Sequence, residues 1–250
     1  MAVLKIACQK ETLIPGSLWL LNNNINGYKN IASNELATEV IAGRKFEIIY
    51  DTQSTSPPSE KERVKVRLLE DGYICWLEIR DIFDQIETTA PWEPILLEKH
   101  EIANRLPKIL IWIEKTSKSP NQYLWGGTAG PNFDCSGLVQ TAFSSEDIWL
   151  PRDAYQQEKF CKPVDFNKNT LKEIIPGDLL FFGDSKKCTH VAIYKGKGNY
   201  WHSSGTKNGR NGIGIDTLNP IHKNSISSYY SSILRGAGRV ESCHDGSSIA

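Results

Sequence analysis

The sequence predicts an α+β fold in two parts, a small N-terminal β-barrel and a larger domain whose helices pack on an antiparallel sheet. Two observations lead there. Ahead of residue 90 the chain offers short segments rich in β-branched and aromatic residues and no long helical pattern. Beyond it, short amphipathic stretches come first and strand-like segments follow. At 250 residues, each part has enough chain to bury a core.

The first part reads as strands at "SLWLLNN", "KFEIIYD" and "RVKVRLLEDGYICWLEIRDI". In the third, Val64, Val66 and Leu68 alternate with charged residues, Asp71-Gly72 turns the chain, and Tyr73 to Ile79 runs back. "TQSTSPPSEKE" is a polar loop. Short strands with no helix to cover them suit a small barrel. "TTAPWEPILLEKHEIANRLP", punctuated by Pro91, Pro94 and Pro107, reads as a connector. The expected limits are a first domain at 1–88, a linker at 89–105, a second domain at 106–242 and a tail at 243–250.

Pro107 suits a first helical position, and "KILIWIEKTSKS" carries apolar residues at 109, 110, 112 and 113, which predicts a short helix. "SPNQYLWGGTAGPN" is a loop by composition. A helix then starts at or just after Cys135, with Leu138, Val139 and Phe143 on one side, and "DAYQQEKF" gives another. "GDLLFFG", "THVAIYKG", "NYWHSSG" and "GAGRV" are strand-like.

Several function classes are disfavoured by composition. The 29 basic residues balance 29 acidic ones, so no net field favours nucleic acid. No apolar run is long enough to span a membrane. Lys5, Gln9, Lys10 and Glu11 interrupt the N-terminus before a signal-peptide core can form, so a cytoplasmic setting is expected. The six cysteines are scattered without a CxxC pair, and Cys188 with His190 lacks a second ligand pair; neither disulfides nor a metal or cofactor is expected.

Cys135 is the chemical focus. At a helix start, unpaired backbone N–H groups and the helix dipole favour thiolate over thiol. Gly137 lets another element approach closely. A nucleophilic cysteine needs a base, normally histidine. Along "THVAIYKGKGNYWH", His190, Ala192 and Tyr194 share one strand face. A three-residue loop centred on Gly196 would pair Tyr194 with Gly198, Ala192 with Tyr200 and His190 with His202, so that His202 could fix the tautomer of His190. A slip of one residue would separate the rings. Taken singly, a buried cysteine is usually a small hydrophobe and a strand histidine a satisfied core residue. The joint arrangement raises a Cys-His-His site.

"YLWGG" (123–127), "FDCSGLVQ" (133–140), "LPRDA" (150–154), "PGDLLFF" (176–182) and "HVAIYKGKGNYWH" (190–202) resemble, in order and spacing, the NlpC/P60 family of cell-wall cysteine peptidases. The resemblance covers roughly residues 106 to 242. It implies a papain-like α+β core with Cys135 as nucleophile, His190 as general base and His202 as the residue orienting it. "DGYICWLEIRDI" is similar to the last strands of bacterial SH3 domains, with Cys75 where that pattern has glycine.

An SH3 domain ahead of an NlpC/P60 domain resembles the γ-D-glutamyl-L-diamino acid endopeptidases, which cut short peptidoglycan peptides with a free N-terminal L-Ala. That resemblance implies substrate contacts from Tyr73, Asp134, Ser136, Trp125 and Arg152, and from an SH3 glutamate, Glu35 or its rival Glu39. Asp153 stands where relatives often carry serine. The expected partner is a peptidoglycan-derived peptide. A papain-like amidase or acyltransferase, and a wall-binding module without catalysis, are the competing expectations.

Overall fold

The structure is a computed structural model, describing residues 12–51, 62–167, 170–221 and 225–247. Cys8, the N-terminal segment, most of the polar loop at 52–61 and His222 lie outside the described residues. The chain divides into two units, residues 1–94 with 245–250, and residues 95–244.

The first unit is built from β1 (Leu18–Leu21), β2 (Ile25–Tyr28), β3 (Leu36–Val40), β4 (Lys45–Asp51), β5 (Arg63–Leu68), β6 (Ile74–Glu78), the one-turn α1 (Ile79–Ile82) and β7 (Ile86–Thr88). Its antiparallel strands run in the order β3-β2-β6-β5-β4-β1-β7. Val64, Val66 and Leu68 are all fully buried, as their alternation predicts, beside Trp19, Phe46, Ile48 and Leu77. Among the described residues of this unit α1 is the only α-helix, and the strands bury the core among themselves. Cys75 fits where the SH3 pattern has glycine because its neighbour Gly27 has no side chain: a Cβ on Gly27 would lie 2.8 Å from the Cys75 sulfur. Sequence reading passed over β2, β3 and β7, whose few residues carry no clear alternation.

The second unit contains α2 (Lys99–Ser117), α3 (Cys135–Ser144), α4 (Ala154–Phe160), β8 (Lys162–Val164), β9 (Leu179–Gly183), β10 (Cys188–Gly196), β11 (Asn199–Ser204), β12 (Gly212–Thr217), α5 (Ile226–Ser232) and β13 (Leu234–Arg239). Its sheet is antiparallel in the order β12-β11-β10-β9-β13-β8. Alternation along β9 and β10 supplies two cores. Leu179, Phe181, Val191 and Ile193 face α2, α3 and α4. Leu180, Phe182, Ala192 and Tyr194 face the opposite way, with Tyr230 of α5.

Two elements differ from expectation. Helix α2 begins at Lys99, inside the stretch read as a connector, and Pro107 lies in its interior. The start is set by Glu98 and Glu101, whose side chain accepts from the Glu98 N–H at 2.8 Å. Glutamate is not a favoured cap residue, so the signal is easily missed. Ile102, Ile109 and Ile113 then form one buried stripe. The supposed tail also begins inside the unit: Cys243 is buried, and the His244 N–H bonds the Trp149 carbonyl at 2.8 Å.

Candidate active site

Asp134 opens α3. Its Oδ1 accepts from the Gly137 N–H at 2.6 Å, which caps the helix and places Cys135 in the first turn. The same carboxylate pairs with the guanidinium of Arg152, Oδ2 at 2.6 Å and Oδ1 at 3.1 Å, and accepts from the Gly126 N–H and the Ser136 hydroxyl. Asp134, Arg152 and Ser136 are all buried. The loop ahead of Asp134 holds Trp125, which is 62% exposed. Gly137 has a specific reason: a Cβ there would overlap the Gly127 carbonyl oxygen. Asp153 caps α4 through a reciprocal capping box with Gln156. Serine and aspartate are both good caps, which accounts for the exchange at this position.

The histidines lie on the strand face shared with α5. His190 Nε2 stands 2.8 Å from His202 Nδ1, and His202 Nε2 stands 2.8 Å from Asp216 Oδ2. Tyr230 of α5 stacks on the His190 ring at 4.5 Å between centroids and meets His202 edge-on. The predicted pairing is corrected. The observed partners are Ile193 with Trp201, Tyr194 with Tyr200, and Gly196 with Asn199. Lys197 and Gly198 both take positive φ, so the loop has two residues rather than three, and a bulge between Tyr194 and Gly196 absorbs the remainder. The register moves by two residues, which leaves every side chain on its expected face.

Cys135 enters from the helix side as part of the core of α2 to α4. Burial pushes its thiol up to about 12; the Asp134 carboxylate adds to the rise, while the backbone N–H groups of Val191 and Ser136 and the charge of Arg152 oppose it. The expected thiolate is therefore not the resting form, because burial outweighs the helix start. His190 is held well below the ordinary imidazole value, first by burial and then by His202, against the pull of Asp216. Burial likewise lowers His202, against the carboxylate of Asp216. Thiol and imidazole both rest neutral.

The second unit thus brings together Asp134, Cys135, Ser136 and Arg152, and separately joins His190 to His202; Val191, next to His190, acts on the cysteine sulfur. Ser203 Oγ donates to the Phe133 carbonyl at 2.6 Å, tying the strand that carries His202 to the segment entering α3. Tyr73 and Glu35 belong to the first unit. Tyr73 packs against that unit's core, and Glu35 is exposed beside Lys29 at 3.1 Å.

Sequence reading missed Asp216, Arg210, Ser227 and Tyr230, together with Tyr123, whose phenol is raised chiefly by burial, with the Asp134 carboxylate adding to the rise. Tyr123 sits in the quoted "YLWGG", but β12 and the serine-rich α5 gave no pattern to follow. Among the described residues, no group of His, Cys, Asp or Glu is placed to hold a metal, and no helix is long and apolar enough to cross a membrane.

Residues 120–235 match the model of the NlpC/P60 family, and residues 27–82 match that of the bacterial dipeptidyl-peptidase SH3 domain. The chain is 38% identical over 167 residues to the γ-D-glutamyl-L-lysine dipeptidyl-peptidase of Bacillus cereus (strain ATCC 10987 / NRS 248), covering 64% of this chain and 44% of that protein. It is 43% identical over 86 residues to the bifunctional muramidase/DL-endopeptidase CwlT of Bacillus subtilis (strain 168), 33% of this chain and 25% of that protein. The chain spans less than half the length of these curated relatives. A solved NlpC/P60 family protein from Bacillus cereus ATCC 10987 aligns with 90% of this chain and 64% of its own, at 23% identity and a TM-score of 0.42. The chain carries a bacterial dipeptidyl-peptidase SH3 domain at residues 27–82 and an NlpC/P60 domain at residues 120–235.

Proposed function

We propose that this protein is a cysteine peptidase that hydrolyses the γ-D-glutamyl–diamino acid bond of short peptidoglycan peptides with a free N-terminal L-Ala. The observation that carries the reading is the 2.8 Å contact from His190 to His202, with the backbone N–H of the next residue, Val191, acting on the sulfur of Cys135 in the first turn of α3. Because thiol and imidazole rest neutral, the reaction begins with transfer of the Cys135 proton to His190 as the sulfur adds to the γ-glutamyl carbonyl carbon. The Cys135 N–H, an amide of the first helical turn, faces the developing oxyanion. Collapse breaks the C–N bond, and the imidazolium gives its proton to the departing amine. Water, deprotonated by His190, then cleaves the thioester and restores the thiol.

Asp134, Ser136, Arg152 and Trp125 are assigned to substrate, and Trp125 offers the exposed apolar surface. Both Asp134 oxygens already accept hydrogen bonds. An ammonium group therefore takes the place of the Ser136 hydroxyl, at 3.2 Å the most distant donor. A blocked amine gives Asp134 no such charge, which is the basis for selecting peptides already released from the wall. Recycling of such peptides in the cytoplasm is the setting we assign. For Tyr73 and Glu35 the assignment rests on the resemblance alone.

Incubating L-Ala-γ-D-Glu-diaminopimelate, its lysine counterpart and their N-acetylated forms with wild type and Cys135→Ala, with products followed by mass spectrometry, tests this. Free peptides should be cut by wild type only. Absence of cleavage by folded protein overturns the activity, and equal turnover of blocked and free peptides overturns the role of Asp134.

A further inference from the structure

The two histidines end on a third group. Asp216, on β12, meets His202 Nε2 through Oδ2 at 2.8 Å. That oxygen also accepts from Arg210 Nε at 3.2 Å and from a terminal guanidinium nitrogen at 3.0 Å. Oδ1 accepts from the Ser227 hydroxyl at 2.6 Å. The Ser227 oxygen itself accepts from the Thr217 N–H at 3.2 Å, so its own proton goes to Asp216. His202 is fully buried and Asp216 nearly so. Burial alone would raise the Asp216 carboxyl, yet the hydrogen bonds from His202 and Ser227 and the charge of Arg210 hold it below its ordinary value. It is ionised at neutral pH and can only accept hydrogen bonds.

An ionised carboxylate facing Nε2 of His202 requires a proton on that nitrogen. A neutral His202 then has a bare Nδ1, which can only accept. The contact to His190 is therefore donated by His190 Nε2–H. A neutral His190 carrying its proton there has a bare Nδ1. We propose that Asp216, anchored by Arg210 and Ser227, is a positioning residue that sets the tautomers of both histidines and so leaves the Nδ1 lone pair of His190 free to act as the base. This rests on the reading of His190 as general base, and extends the orienting logic of a catalytic triad by one member.

Arg210 makes the assignment testable, because it has donors only. In Asp216→Ala, Arg210 is the group left facing His202 Nε2 and favours a lone pair there. The proton moves to Nδ1 of His202, and the same relay then puts the His190 proton on Nδ1. In Asp216→Asn, Arg210 turns the amide oxygen toward itself and His202, and the amide NH2 toward the Ser227 oxygen, so the original tautomers persist.

The experiment is nitrogen NMR of the full chain labelled with 15N-histidine at neutral pH, which reads each ring's protonated nitrogen directly. Wild type and Asp216→Asn should show His190 and His202 protonated at Nε2. Asp216→Ala should show protonation at Nδ1, with kcat lower by on the order of 10²–10⁴ and KM little changed. Protonation of His202 at Nδ1 in wild type overturns the proposal, as does unchanged tautomery in folded Asp216→Ala. Should that variant fail to fold, the wild-type spectrum still decides. The spectra stand whether or not the protein cleaves a peptide, so an inactive wild type would sink the peptidase reading alone.

Discussion

His190 and His202 touch at 2.8 Å although they are not opposite each other in the sheet. The pairing of Ile193 with Trp201, carried back along the strands, sets His202 across from Ala192 and His190 one pleat further on. The contact is diagonal, a separation that long side chains bridge. Tyr230 packs on both rings, with Phe182 also against His190 and Tyr200 against His202. His190 is thus oriented by a side chain two residues out of register, and its aim depends on the bulge at the end of β10.

Removing that side chain should separate orientation from folding. In His202→Ala we expect kcat on the γ-glutamyl peptide to fall by roughly 10²-fold or more, the usual scale for a lost acid–base function. Thermal melts are needed beside the kinetics, because His202 is fully buried and the truncation leaves a cavity next to Asp216. Activity near wild type in folded protein would show that Tyr230 packing alone holds His190.

The resting state of the nucleophile has a sharp signature. With the Cys135 thiol pushed up to about 12, alkylation of its peptide by iodoacetamide, read by mass spectrometry, should rise about tenfold per pH unit from pH 7 to 10. A preformed thiolate–imidazolium pair would instead give a plateau across neutral pH. Such a plateau would contradict the neutral pair and restore the helix start as the dominant influence on the sulfur.

Much of this site was legible because it depends on period and local chemistry. Strand alternation puts His190 and His202 on one face whatever even number of residues the register moves, so the pair survives an error in the loop. Asp134 before a helical run is a cap signal that the structure uses as written. Asp216, Arg210 and Ser227 were not legible. They come from β12, the preceding loop and α5, and only tertiary packing gathers them. The charge state of Cys135 is hidden from the sequence for a related reason: a helix start can be read from neighbours in sequence, but burial in a core gathered from several elements cannot. At the start of the second unit, the unusual cap made by Glu98 and Glu101 similarly hides the true start of α2 behind a more conspicuous proline.

Gly137 is a second point where the site depends on close approach. A Cβ at this position would overlap the Gly127 carbonyl, which also accepts from the Asp134 N–H at 3.3 Å. Gly137→Ala should destabilise the protein by about 1–3 kcal/mol, the usual cost of overpacking. For a chain of this size that corresponds to a melting-temperature loss of about 2–12 °C. Since the displaced loop carries Trp125 and Gly126 next to Asp134, peptide turnover should fall further than stability explains. An unshifted melting temperature would mean that the loop simply yields.

The buried imidazoles also set how the protein responds to acid. His190 and His202 both have folded values depressed by burial, whereas in the unfolded chain each titrates near the ordinary value of about 6.5. Below that value the unfolded state binds protons that the folded state refuses, so stability falls as pH falls. Above it neither state binds them, and stability is unaffected. Each histidine steepens the dependence by about 1.4 kcal/mol per pH unit until its folded value is reached. The depressed carboxylates Glu78, Glu114, Asp184 and Asp216 act only below their own ordinary range near 4, so the window between pH 6.5 and 4.5 belongs to the histidines. Urea unfolding at pH 7.5, 6.5 and 5.5 should therefore show a clear loss over the lower interval and little over the upper. Replacing both residues, as His190→Gln with His202→Gln, should flatten the lower interval even if the variant is less stable throughout. A wild-type profile that is level down to pH 5.5 would mean that the two rings accept protons in the folded state, and the neutral relay from Asp216 to His190 could not then be the resting arrangement.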